Sequence, residues 1–178
     1  ICFLFLAALF LISFWLMGAN ERKNQREIYR LAYTDELTGL PNWEKLKKEA
    51  QQCLVSMTLA IIDTKDFNKL NAIAGREYGD QLLIRQARLL EQSIGENEYA
   101  CRVRDDTFAL YLQETSNTAF RLEQLLEKMS QVSDDFSLQI ACGVTQVHPP
   151  EQLSGEVLGR SFSALRLDRT GRRLFVAC

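Results

Sequence analysis

Cys101-Arg102-Val103-Arg104-Asp105-Asp106-Thr107-Phe108-Ala109-Leu110-Tyr111-Leu112 sets two strand-like runs on either side of a polar centre. Runs rich in β-branched, aromatic and aliphatic residues, separated by a short polar step, predict a β-hairpin. The centre holds two adjacent carboxylates and a hydroxyl but no glycine. A tight hairpin turn normally calls for Gly or Asn at positive φ, so this turn is chemically unusual. Paired acids at a hairpin tip can hold a divalent cation against a phosphate, because hard cations take oxygen ligands. An Asp-Asp pair by itself is more often a solvated turn, and the rest of the chain has to decide.

The composition narrows the classes. The chain has 178 residues, a net charge of −2 and 47% hydrophobic residues. Once an apolar N-terminal run is set aside, about 140 residues remain, the size of one ordinary domain. The near-neutral balance lacks the clustered basic face that nucleic-acid binding requires, so no nucleic-acid partner is expected. Cys2, Cys53, Cys101, Cys142 and Cys178 show no paired metal spacing and read as small core residues of a reducing compartment. His148, the single histidine, precedes Pro149-Pro150 and belongs in a loop. A histidine-based triad or zinc site is therefore not expected.

Residues 1–19 are apolar apart from Ser13 and the closing Gly18-Ala19. As a helix this run reaches about 28 Å, close to the hydrocarbon core of a bilayer. Arg22, Lys23, Arg26 and Arg30 follow it, which by the positive-inside rule puts the next segment in the cytoplasm. The expectation is a transmembrane helix over 1–19 in the bacterial cytoplasmic membrane. A truncated signal peptide and a buried core helix compete with it. Residues 20–33 read as a charged linker or signalling helix, with Ile28, Leu31 and Ala32 on one face that could pair with a second copy. The chain begins at Ile1 rather than Met and ends directly after an apolar run, so a fragment of a longer protein is expected.

Residues 34–178 read as one domain. Asp35 to Asn42 is a turn leading into a helix over 42–53, with Pro41 at its entrance. Met57 to Ile62 is a continuous apolar run ending in Asp63, the pattern of a buried strand with a carboxylate at its tip. Helices are predicted over 66–74, 78–93, 117–132 and 151–168, and strands over 138–147 and 173–177. The order suggests an α+β fold, an antiparallel-rich sheet with helices on one face.

Three stretches together resemble the GGDEF domains, the diguanylate cyclase family. Asp35-Glu36-Leu37-Thr38-Gly39-Leu40-Pro41-Asn42 is similar to the family's D-x-L-T-G-L-x-N entrance, with Trp43 in place of the usual arginine. Asp63 through Asp80 is similar to D-x-D-x-F-K-x-x-N-D-x-x-G-H-x-x-G-D, with Asp63, Phe67, Asn71, Gly75, Gly79 and Asp80 in register. Arg102 to Phe108 sits where the family has R-x-G-G-D-E-F, and Gly171-Arg172 matches a later Gly-Arg pair. The resemblance implies a nucleotidyl-cyclase-like sheet (palm, ferredoxin-like) flanked by helices. It also implies chemistry that joins two GTP molecules into cyclic di-GMP across a homodimer.

Carried over position by position, Asp63 and Asp106 take the metal-ligand places, with Mg²⁺, weakly held, as the implied cofactor. Phe67, Asn71, Asp80 and Arg172 take nucleotide-binding places, Asn71 and Asp80 those that read guanine. The remaining positions depart from the family. Thr107 replaces the catalytic acid, and a threonine hydroxyl is no base near neutral pH. Arg104 and Asp105 replace the two glycines that let phosphate approach the backbone. Asn68 stands for a phosphate-binding lysine, Lys65 for the second acid of D-x-D, Ala72 for an aspartate and Arg76 for a histidine. At the product-inhibition motif R-x-x-D, Gly95 and Glu98 stand in place of the arginine and aspartate.

These departures predict a catalytically inactive member without catalytic residues. It would be a membrane-tethered regulatory or dimerising module that senses GTP weakly or not at all, fused to or partnered with an EAL phosphodiesterase domain. The alternative is an active cyclase in which Asp105 or Asp106 covers for the missing acid. That requires a one-residue slip of the hairpin, which would turn every strand side chain to the opposite face.

Overall fold

The computed structural model describes the backbone of residues 2–149, 151, 153–168 and 175–177, and the side chains of 14, 15, 17, 20–149, 151 and 153–166. The chain divides into two compact units, Ile1–Tyr33 and Thr34–Cys178.

The first unit is one helix, α1 (Cys2–Tyr33), about 48 Å long at the usual rise. Glu27 and Arg30 pair along it at 2.9 Å, and the Tyr29 and Tyr33 rings stack at 4.7 Å. Ile28 and Leu31 are exposed. Among the described residues no helix is long and apolar enough to cross a membrane. The run that carries the membrane expectation has most of its side chains outside the described residues.

The second unit contains α2 (Trp43–Ala50), β1 (Met57–Thr64), α3 (Phe67–Ala74), α4 (Arg76–Ser93), β2 (Tyr99–Arg104), β3 (Thr107–Gln113), α5 (Thr118–Ser130), β4 (Ile140–Val147), α6 (Gly155–Asp168) and β5 (Phe175–Ala177). The strands form one sheet in the order β2-β3-β1-β4-β5. β1 pairs antiparallel with β3 and β4, β2 pairs antiparallel with β3, and β5 joins β4 in parallel.

Every residue of β1 is buried, because the strand lies at the centre of the sheet and helices cover both of its faces. Ala60 and Ile62 join Leu82, Leu83, Leu90, Leu122 and Met129 from α4 and α5. Leu59 and Ile61 join Leu46 of α2 with Val157 and Leu165 of α6. The expectation of helices on one face is thereby corrected. An unbroken apolar run, without polar alternation, is the signature of a strand buried on both sides.

Gly143 of β4 lets α6 approach: a Cβ there would lie 2.1 Å from the Ser161 carbonyl oxygen and 2.4 Å from the Leu165 nitrogen. Any side chain would force α6 off the sheet.

Candidate functional site

The hairpin forms where the sequence places it, and its turn is Asp105-Asp106. Asp105 takes φ 44°, a left-handed conformation that aspartate tolerates better than most residues. The register shifts between Arg102 and Arg104, so one extra residue is absorbed just before the turn. Arg102 holds this geometry. Its Nε and Nη2 donate to the Asp105 carbonyl at 2.8 and 2.5 Å, while Nη1 donates to the Asp35 carboxylate at 3.0 and 3.2 Å.

Asp35 opens the loop that leads into α2. Its carboxylate also accepts from the Thr38 amide and hydroxyl, at 2.9 and 2.7 Å. Gly39 supplies the positive φ of 76° that turns the chain back, so that the Asp35 amide reaches the Leu40 carbonyl at 2.8 Å. The Asn42 side chain then caps α2 by accepting from the Lys45 amide at 3.0 Å. Burial opposes the Asp35 charge, but the Thr38 hydrogen bonds and the Arg102 guanidinium outweigh it and hold the carboxyl below its usual range. Two of the three family-like stretches are thus pinned together by one ion pair.

Between α3, α4 and the hairpin lies a polar pocket of about 490 Å³. Phe67, Asn71 and Asp80 line its helical wall, and Asp105 and Asp106 line its hairpin wall. Gly75, at φ 89°, separates α3 from α4, a backbone conformation that favours glycine. Gly79 is small because Asn71 lies over it: a Cβ would stand 1.9 Å from Asn71 Oδ1 and 3.2 Å from Phe67 Cζ. Asn71 Oδ1 is itself buried and has no hydrogen-bond partner within the protein. The oxygen is covered by the Gly79 backbone rather than open to the pocket, which the rest of the Asn71 side chain lines.

The structure therefore assembles Phe67, Asn71, Asp80 and Asp106 around one pocket. Asp63 is not among the pocket-lining residues: it is buried at the end of β1 and pairs in register with Thr107. Residues directly opposite on neighbouring strands share a face, so an acid at 107 would stand beside Asp63. Thr107 brings a neutral hydroxyl there instead. Among the described residues no group of three or more His, Cys, Asp or Glu side chains is placed to hold a metal ion. Arg172 lies outside the described residues.

Leu83 also lines the pocket and escaped sequence reasoning, while Asn68, Arg76, Arg102 and Asp105 line it from positions read only as parts of the family-like stretches. Arg102 belonged to a recognised stretch, but its pairing with Asp35 across the fold carries no local signal. Arg104 faces elsewhere, with its guanidinium 5.2 Å from the centre of the Phe162 ring on α6. Glu98 is buried against Arg121 of α5 at 2.7 Å and also accepts from the Gly95 amide at 2.7 Å and the Gln113 amide at 3.2 Å. Burial resists its ionisation, yet the Arg121 and backbone hydrogen bonds prevail and hold its carboxyl below the usual range. Glu98 thus closes the loop before β2.

Comparison with known proteins agrees with this geometry. Residues 32–171 match the family model described as "Diguanylate cyclase, GGDEF domain". A diguanylate cyclase of Vibrio cholerae is 27% identical over 161 residues, spanning 83% of this chain and 50% of that protein. The bifunctional diguanylate cyclase/cyclic di-GMP phosphodiesterase MucR of Pseudomonas aeruginosa is 29% identical over 125 residues, spanning 65% of this chain and 18% of that protein. The chain thus spans half or less of the length of these relatives. Among solved structures, the coiled coil and GGDEF domain of DgcB from Caulobacter crescentus, in complex with c-di-GMP, superposes with a TM-score of 0.80 at 23% identity. That superposition covers 94% of this chain and 97% of the other, a likeness of fold.

Proposed function

The chain belongs to the diguanylate cyclase GGDEF domain family, and from that membership we propose that it is a catalytically inactive member. On this reading it is a regulatory and dimerising module of cyclic di-GMP signalling that retains a weak site for a guanine nucleotide. The observation that carries the reading is Thr107, set in register opposite the buried Asp63 where the family's catalytic acid belongs. The register also weighs against the active alternative, since a one-residue slip would turn every β3 side chain into the core on the opposite face of the sheet.

Asp63 and Asp106 are a minimal donor set for Mg²⁺, which usually takes one or two carboxylates and completes its shell with phosphate and water. They would hold the ion, and the ion would supply neutralisation of phosphate charge. Phosphoryl transfer relies on positioning and charge stabilisation. With a neutral residue at 107 and side chains at 104 and 105, neither attack on phosphate nor its close approach is supported. Losses of this kind are each worth on the order of 10²–10³ in rate and need not add.

The guanine part of the site is supported by Asn71 and Asp80, an amide and a carboxylate that line one pocket at the positions where the family reads the base. Membrane anchoring is supported by the apolar run over residues 1–19 and the Arg22, Lys23, Arg26, Arg30 series behind it. Dimerisation through α1 is supported by the exposed Ile28 and Leu31. A fused or partner EAL phosphodiesterase domain is the proposed recipient of the signal, by analogy with relatives that carry both activities in their names.

The test is incubation of the full chain, in detergent, with GTP and Mg²⁺, followed by chromatography for cyclic di-GMP. No product is expected. Product above the level of an Asp63→Ala/Asp106→Ala control would overturn the inactive reading and force a different assignment of the base.

A further inference from the structure

The cations of α1 gather on one side of the helix. At about 100° per residue, Trp15, Arg22, Lys23, Arg26 and Arg30 fall within roughly a third of its circumference, and Ile28 and Leu31 fall on the opposite side. Arg22, Lys23, Arg26 and Arg30 line one shallow groove together with Glu27, and all five are exposed. Glu27 pairs with Arg30 at 2.9 Å. Among the described residues, Arg22, Lys23 and Arg26 make no direct ion pair. Trp15, 65% exposed, lies on the same side about 10 Å nearer the N-terminus than Arg22.

We infer that this face of α1 binds the headgroup phosphate of an anionic phospholipid, phosphatidylglycerol in type, through Arg22, Lys23 and Arg26, with Trp15 at the hydrocarbon boundary. The inference rests on the membrane-anchoring reading above and specifies the lipid. An indole settles where hydrocarbon meets headgroup, and the headgroup layer beyond it is about 5–8 Å thick. Helical side chains lean toward the N-terminus, so Arg22 and Lys23 reach back from their backbone positions into that layer. Arginine grips phosphate with two parallel charge-assisted hydrogen bonds. A second copy of α1 would take the side that carries Ile28 and Leu31, which leaves the cationic side to lipid. Each cation near an anionic surface is worth about a factor of five in binding.

The experiment reconstitutes the full chain in vesicles that mix phosphatidylcholine with phosphatidylglycerol, with brominated chains on one lipid at a time. Trp43→Phe leaves Trp15 as the only indole, and its quenching reports which lipid sits beside it. Phosphatidylglycerol is expected to occupy that place about fivefold more readily than phosphatidylcholine. In Arg22→Gln/Lys23→Gln/Arg26→Gln the preference is expected to vanish. Lys47→Gln/Lys48→Gln, which removes charge from α2 instead, is expected to leave it unchanged, as is excess inorganic phosphate. Equal quenching by the two lipids, or a preference that survives the triple variant, would overturn the inference and leave the membrane reading standing. A preference lost equally in the α2 variant would assign it to overall charge, and one abolished by inorganic phosphate to free anions, and either would overturn the inference. No quenching by either lipid, with the chain recovered outside the vesicles, would overturn the membrane reading itself and this inference with it.

Discussion

The helical and hairpin walls of one pocket differ in how far they keep the residues of the family motif. On α3 and α4 the family-like residues form a working surface: Gly79 has no side chain because Asn71 occupies that space, and Phe67 packs beside them. On the hairpin, Arg104, Asp105 and Thr107 stand where the family motif has two glycines and an acid. The difference follows from what each wall must do besides binding. Phe67 and Leu83 also belong to the core, so the helical wall cannot change without loss of packing. Asp105 sits in an exposed turn, where a change is carried by Arg102 alone. Burial constrains the frame of a site more tightly than it constrains the exposed residues at its rim.

The strongest challenge to this contrast is to rebuild the hairpin wall. Arg104→Gly/Asp105→Gly/Thr107→Glu is expected to raise cyclic di-GMP formation by at least about 10² over the natural chain, measured as product per hour from GTP and Mg²⁺. If the triple variant stays silent, the defect extends beyond the hairpin, to Asn68 in the place of a lysine.

The helical wall is tested from the other side. Asn71→Ala or Asp80→Ala is expected to weaken GTP binding by roughly 10- to 100-fold, the worth of one or two hydrogen bonds of which one is to a charged group. Circular dichroism should show the fold intact in both. An unchanged affinity would mean that neither side chain meets the nucleotide.

Arg102 links the two walls to the entrance loop, and its loss sharpens the contrast in stability. Arg102→Met removes the ion pair to Asp35 and both bonds to the turn. A loss of about 2–3 kcal/mol in urea unfolding is expected. Hydrogen exchange should rise in residues 34–42 and 103–107 and stay unchanged in α4.

The smallest effect concerns acid. Asp35 and Glu98 both have carboxyls held below their ordinary range in the folded state. Such a group contributes stability that is present above its unfolded pKa, about 4, and is lost as pH falls through the depressed folded value. Unfolding midpoints are therefore expected to hold steady above about pH 5 and drop below about pH 4. Glu98→Gln should flatten part of that drop, because the glutamine has no proton to gain. A drop of equal steepness in Glu98→Gln would assign the acid sensitivity to other carboxylates.

Much of this could be read from the chain alone. The Met57–Ile62 run, apolar but for Thr58, the turn residues between Asp35 and Asn42, and the two strand-like runs around Asp105-Asp106 each carry their structure locally. Backbone preference and hydrophobic spacing act over a few residues, and a linear sequence displays both. The family-like spacing of Asp63, Phe67, Asn71, Gly79 and Asp80 placed the candidate site before any coordinates, and three of those five residues line the pocket with Asp106.

Tertiary structure decided the rest. Helices on both faces of the sheet follow from the central place of β1 between β3 and β4, and strand order is set by long-range pairing that no local pattern records. The same holds for Arg102 with Asp35, residues 67 positions apart, and for Glu98 with Arg121. It holds for Asn71, whose lack of a partner emerges only once Gly79 and Phe67 close around it. Sequence names the groups available for binding. Only packing determines which charges are already neutralised within the protein and which remain to meet a ligand, because charge interactions depend on distance and burial rather than on order along the chain.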